Sequence, residues 1–110
     1  MPEPTLTDVF GANATSGAVL LTINKEDLAS TGLIADEGNS AESLVVALVM
    51  KFANTLTETQ RATDTGTRNV TVSYAGQDTI NQLGTQYQRD VWNIVAYKQV
   101  PVSPVVPGSY

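Results

Sequence analysis

The longest apolar run of this chain, Leu-Val-Val-Ala-Leu-Val-Met at residues 44–50, lies in the segment with the clearest helical spacing. Asn39 followed three residues later by Glu42 is a capping-box variant, which predicts that a helix begins there. Apolar residues continue at helical spacing as far as Leu56, and the chain then turns polar. We therefore expect one main helix that ends near Leu56.

This helix has no polar side across two turns. One side would cover the protein's own core with five apolar residues: Leu44, Val45, Leu48, Val49 and Phe52. Val46 and Met50 lie on the other side, where a helix of a small soluble monomer usually carries polar residues. Because a chain of 110 residues has few elements for a second layer, we expect a second molecule to cover Val46 and Met50. Coverage by the chain's own terminal segments or by a sheet face is the alternative.

Three shorter elements precede the main helix. Residues 7–11 predict a single capped turn closed by glycine. The apolar segment at residues 18–23 predicts a short, mostly buried strand. Asn24 is a good N-cap and Gly32 a left-handed stop, so we expect a small helix between them.

Alternation replaces helical spacing after Gly66. Residues 70–74 alternate in the manner of a strand, and residues 87–98 carry apolar side chains on both faces, which predicts a second strand that is central or lies under a neighbour. Residues 75–78 are typical of the intervening turn. Residues 80–85 fit either a loop or a further short strand.

These elements predict an α+β fold with one main helix packed on a small antiparallel sheet. We expect a single domain over residues 1–110, with an extended N-terminal arm (1–16), a compact core (17–99) and a proline-rich C-terminal arm (100–110). Prolines recur at every third position of the C-terminal arm, which favours a polyproline-like tail: Pro101, Pro104 and Pro107.

Composition excludes several classes of function. The net charge of −5 and the six scattered basic residues argue against nucleic acid as a partner. Cysteine and histidine are absent, so thiolate and imidazole ligands are missing and we expect no metal, no cofactor and no catalytic residues. No apolar run reaches the roughly 18 residues of a membrane span, and the first residues do not resemble a secretory signal. We expect a soluble protein with no membrane partner.

One short motif suggests chemistry. Residues 64–67, Asp-Thr-Gly-Thr, match the loop that carries the catalytic carboxylate of aspartic proteases, which need two such carboxylates to share a proton. The preceding Arg61-Ala62-Thr63 is not the apolar run of those enzymes, and no glycine-rich flap is visible. A small hydrolase centred on Asp64 stays an alternative to a plain loop between helix and strand.

Four aromatic residues near the C-terminal half could stack against sugars or bases: Tyr74, Tyr87, Trp92 and Tyr97. Without a basic groove, we interpret them as strand packing and interface anchors instead. The expected interface combines residues of both arms, the main helix and the second strand: Leu6, Phe10, Val46, Met50, Trp92, Tyr97, Val102, Val105 and Val106.

Four segments resemble small virion structural proteins of cyanobacterial tailed phages and prophages: residues 5–11 (TLTDVFG), 24–28 (NKEDL), 39–44 (NSAESL) and 86–89 (QYQR). The resemblance implies no catalysis. It implies assembly on a particle, commonly as a capsid cement (decoration) protein that binds itself and the major capsid protein or other virion proteins. The expected location is the capsid surface, after assembly in the host cytoplasm. A tail or neck component is the alternative within the same class.

Overall fold

The computed structural model describes residues 4–63 and 69–98. The predicted α+β class is confirmed. Helices and strands follow in the order α1 (Leu6–Phe10), β1 (Thr15–Ser16), β2 (Leu21–Thr22), a 3-10 helix (Lys25–Thr31), α2 (Ala41–Thr55), α3 (Glu58–Thr63), β3 (Val70–Gln82) and β4 (Thr85–Ala96). The strands form two separate antiparallel pairs, β1 with β2 and β3 with β4.

The main helix α2 begins one residue later than the sequence predicts. Ser40 is the N-cap, and its hydroxyl accepts a hydrogen bond from the backbone N–H of Ser43 at 3.1 Å. Asn39 is not the cap, because its side chain accepts from the N–H of Asp36 at 2.9 Å and so closes the preceding loop. Only Ala47 of this helix is buried. The expectation that Val45 covers the core is wrong, since 58% of Val45 is exposed.

The predicted turn before Gly11 is confirmed as the short helix α1. Thr5 and Asp8 form a capping box at its start. The helix packs on the C-terminal end of α2 through an edge-to-face contact between Phe10 and Phe52, with ring centroids 5.5 Å apart. The hydroxyl of Thr55 also donates to the carbonyl of Asp8 at 3.1 Å, so the first described residues are fixed to the main helix.

The segment at residues 18–23 differs from its prediction. Its regular part is only β2, two residues long, and Val19 and Leu20 are 91% and 72% exposed. The expectation of a mostly buried strand is wrong because β2 pairs only with the equally short β1 and both its residues are exposed. The small helix after Asn24 is confirmed at both ends, although it winds as a 3-10 helix, and Gly32 has the left-handed φ of +97°.

Asp27 connects that 3-10 helix to the loop after α1. Its carboxylate accepts hydrogen bonds from the backbone and side-chain nitrogens of Asn13, at 2.8 and 2.9 Å. Gly11 passes so close to Asp27 that a Cβ at position 11 would overlap this side chain. Gly11 also has φ +119° and ψ 157°, a region that only glycine adopts readily. The close approach therefore requires glycine.

We expect Gly11→Ala to lower the free energy of unfolding by about 3 kcal/mol, because it adds backbone strain and displaces Asp27. Gly32→Ala is the matched control: φ is also positive there, but no atom lies within 4 Å of the added Cβ, so the loss should be about 1 kcal/mol. Urea denaturation followed by circular dichroism measures both. Equal losses in the two variants would contradict the close approach at Gly11.

The last two strands form one long hairpin. Its register runs from Val70 opposite Ala96 at the base to Gln82 opposite Thr85 at the tip. The turn predicted at residues 75–78 is wrong, because the chain continues as a strand through a β-bulge between Tyr74 and Gly76. The turn lies instead at Leu83 and Gly84. Residues 80–85, which fitted either a loop or a strand, therefore contain strand residues and this turn.

Among residues 4–63 and 69–98, the contacts that hold the hairpin on the rest of the fold lie at its base. The backbone N–H of Val72 donates to the carbonyl of Leu56 at 2.8 Å, directly after α2 ends. Thr71 and Val72 are buried, with 1% and 2% exposure. In α3, the guanidinium of Arg61 lies 3.4 Å from the ring centroid of Tyr97, a cation–π contact that fixes the end of β4.

The remainder of the hairpin projects without cover. In its outer half, residues 76–91, every residue is exposed except Gly76 and Ile80, which are half-buried. The expectation that the second strand is central or lies under a neighbour is wrong within the described residues, because β4 pairs there only with β3 and all of its residues except half-buried Trp92 are exposed. Apolar side chains on both faces of β4 thus lack the cover that their pattern predicts.

Candidate interaction surfaces

The described chain exposes far more apolar side chains than it buries. Its buried hydrophobic residues are four: Ala14, Leu28, Ala47 and Val72. Its exposed large hydrophobic residues are Val19, Leu20, Leu21, Ile34, Val45, Val46, Val70, Tyr74, Leu83, Tyr87, Val91, Ile94, Val95 and Tyr97. Single exposed apolar residues are ordinary, but so many beside so small a core single out candidate interaction surfaces among the described residues.

The residues expected at the interface fall in three environments. Val46 is 46% exposed and, with neighbouring Val45, forms what we call the helix patch. Leu6, Phe10, Met50 and Trp92 are half-buried, and Tyr97 is 36% exposed beside Arg61. Three further residues lie outside the described part of the chain: Val102, Val105 and Val106.

Two of the expected anchors already have aromatic partners within the chain. Phe10 packs edge-to-face on Phe52, and Trp92 meets Tyr74 across the hairpin with centroids 5.3 Å apart. Such pairs stabilise the base of the hairpin and the packing of α1. These aromatic residues therefore contribute to packing within the chain itself.

A polar network lies on the same hairpin face as Trp92, nearer the tip. The hydroxyl of Tyr74 donates to the carboxylate of Asp90 at 2.7 Å, and the amide nitrogen of Gln77 donates to the same oxygen at 3.1 Å. The hydrogen bond from Tyr74, with those from Gln77 and Gln88, lowers the pKa of Asp90. The same bond to Asp90 raises the pKa of Tyr74, since ionisation of the phenol would break it beside a carboxylate.

On the opposite face of the hairpin, Asp78 and Arg89 form a two-pronged ion pair. The guanidinium Nε and Nη2 atoms donate to the two carboxylate oxygens at 2.7 and 2.5 Å. This pairing lowers the pKa of Asp78 and raises that of Arg89. Both side chains are about half exposed, so the pair sets cross-strand register more than it adds stability.

We expect Asp90→Asn to lower the pKa of Tyr74 toward its ordinary value near 10, because the neutral amide no longer favours the protonated phenol. Ultraviolet titration of tyrosinate checks this, with Tyr74→Phe used to subtract the other three tyrosines. Asp36→Asn is the control, because the carboxylate of Asp36 accepts from Gly38 and is not among the groups that shift the pKa of Tyr74. An unchanged Tyr74 titration in Asp90→Asn would contradict the hydrogen bond.

An apolar groove opens between α1, the end of α2 and the base of the hairpin. Its volume is about 480 Å³, and its lining residues are Pro4, Val9, Phe10, Phe52, Leu56, Asn69, Val70, Val72 and Ile94. No lining residue is charged. The groove has the size and the apolar character of a site for a small molecule or for a side-chain anchor from another protein.

The tip of the hairpin carries a second unusual feature. Leu83 has φ +52° and is fully exposed, at 106% of its reference area, while Gly84 follows with φ +84°. Neither the groove nor this tip was expected from the sequence. The one available signal was Leu83-Gly84 between two alternating runs, which does not contain the Asn-Gly typical of such turns.

The described residues do not test the hydrolase alternative. Asp64, on which the hydrolase alternative depends, lies outside them. Within residues 4–63 and 69–98, no group of histidine, cysteine, aspartate or glutamate side chains could hold a metal ion, and no helix is long and apolar enough to cross a membrane.

Comparison with models of known protein families, with curated proteins and with solved structures found no match.

Proposed function

We propose that this chain is a non-enzymatic structural protein of a phage virion, a capsid cement protein that self-associates and bridges neighbouring capsid subunits. The observation that carries the proposal is the unsupported hairpin, with apolar residues on both faces and a long free edge. The resemblance of four segments to small virion proteins of cyanobacterial phages supports the choice of particle.

The exposed outer half of the hairpin supports the proposal, because it would gain stability from a neighbour. A two-stranded ribbon is marginally stable in water unless a third strand or a helix packs on it. The twelve residues of β4 present an outer edge that no other described strand occupies. Such an edge is a template for pairing with another chain. A neighbouring subunit that adds a strand would satisfy its backbone groups and cover residues such as Val91 and Val95.

The helix patch supplies a second contact surface. Removing apolar area from water contributes about 25 cal/mol per square ångström, so a patch of two valines supplies only part of the free energy that association costs. Contacts on a shell are repeated many times, and linked contacts reinforce each other without each being strong. Helix patch and hairpin together would suit a protein that is held on a particle by many weak contacts.

We expect Val46→Glu to weaken self-association at least tenfold, because a carboxylate would be buried in the contact between subunits. Ala41→Glu is the matched control, since Ala41 is also exposed on α2 but on the opposite side of the helix. Light scattering after size-exclusion chromatography at tens of micromolar measures the molar mass. A wild-type protein that is a folded monomer under these conditions would contradict the proposal.

A tail or neck component is the second candidate, favoured by the separation of the apolar groove from the protruding hairpin tip. When two different surfaces of identical subunits meet, the contact repeats head to tail and builds a ring if it closes. Imaging of labelled protein on purified particles separates the candidates. Labels over the whole shell support the cement protein, and labels at one vertex or along the tail support the ring component.

A further inference from the structure

The turn residue Leu83 is unfavourable for the hairpin that contains it. Two-residue turns with positive φ at both positions prefer Asn-Gly or Asp-Gly, because a branched side chain in the left-handed region clashes with its own backbone. Leu83 occupies the first position with φ +52° and its side chain is fully exposed. The leucine thus costs conformational energy and gains no described contact in return. Strain of this kind is characteristic of residues retained for binding.

The apolar groove is the complementary feature at the opposite end of the hairpin. Ile94 and Val72 line it at the base, whereas Leu83 lies beyond the last strand pair at the tip. The β3 strand has 13 residues, which at a rise of about 3.3 Å each places the tip roughly 40 Å from the groove. Leu83 cannot reach the groove of its own chain.

The distribution of charge favours a second copy of this chain as the molecule whose groove receives Leu83. Two copies each carry a net charge of −5 and repel one another, so they meet most easily through surfaces without charge. Residues 79–88, which form the tip, contain no charged side chain, and neither does the lining of the groove. Both surfaces are uncharged in a chain whose charges lie elsewhere.

We propose that Leu83 of one copy inserts into the apolar groove of the next copy, against Phe10, Phe52 and Ile94. This inference rests on the self-association in the proposed function and specifies its geometry. The contact joins different surfaces of the two copies, so it repeats head to tail and closes into a ring or extends into a chain.

The first test is Leu83→Asn. Asparagine is favoured in this turn, so the variant should unfold at the same temperature as wild type or a higher one, while self-association weakens at least tenfold. Leu20→Asn, the same change at an exposed position in the β1–β2 turn, should leave association unchanged. Opposite effects on stability and association would show that Leu83 acts between molecules. Association equal to wild type in Leu83→Asn would overturn the inference, while the proposed self-association would stand.

The second test identifies the groove. Ile94→Lys charges the groove at a position that is 62% exposed, so the variant should fold, and alone it should fail to associate. When it is mixed with Leu83→Asn, one intact tip and one intact groove remain, which predicts that a mixed complex with one chain of each variant forms again through that single contact. Native mass spectrometry of isotopically distinct chains measures this. Absence of the mixed dimer would overturn the groove as the partner site, and a monomeric wild type would overturn both proposals.

Discussion

A long two-stranded hairpin on a small body is the constraint from which the other properties of this structure follow. The backbone hydrogen bond from Val72 to Leu56 and the cation–π contact of Arg61 with Tyr97 hold only its base. Beyond the bulge at Tyr74 and Gly76, the contacts of the ribbon within the described part of the chain are cross-strand pairs. A ribbon without a covering layer has little stability of its own, so contacts with a neighbour decide how well its outer half is ordered.

Polar contacts between the two strands order the part of the hairpin that has no covering layer. Asp90 collects hydrogen bonds from Tyr74, Gln77 and Gln88 on one face, and Asp78 pairs with Arg89 on the other. These contacts fix the register without a hydrophobic core. They leave the tip itself uncharged, and a surface without charge is one that copies of an acidic chain can share.

Local signals in the sequence predicted α1 and the 3-10 helix well, because a cap acts through its immediate neighbours. Asn24 and Gly32 bound the 3-10 helix as predicted, and Gly11 ends α1. Signals that depend on distant partners were misleading. Gly76 is typical of a turn, yet pairing with β4 makes it part of a bulge. The apolar residues Val19 and Leu20 predicted burial, but both are exposed, because the short β2 strand pairs only with the equally short β1 and an apolar run alone does not say which element will pack on it.

Hydrogen–deuterium exchange measured as a function of protein concentration shows whether a second copy of the chain covers the outer half of the hairpin. If a neighbouring copy covers the outer half of the hairpin, amides at residues 76–91 should exchange rapidly in dilute protein and slow markedly as concentration rises. The amides of α2 should change much less, since contacts within the chain already protect them. Slow exchange of residues 76–91 at concentrations where the protein is monomeric would show that the hairpin needs no partner and would contradict this account.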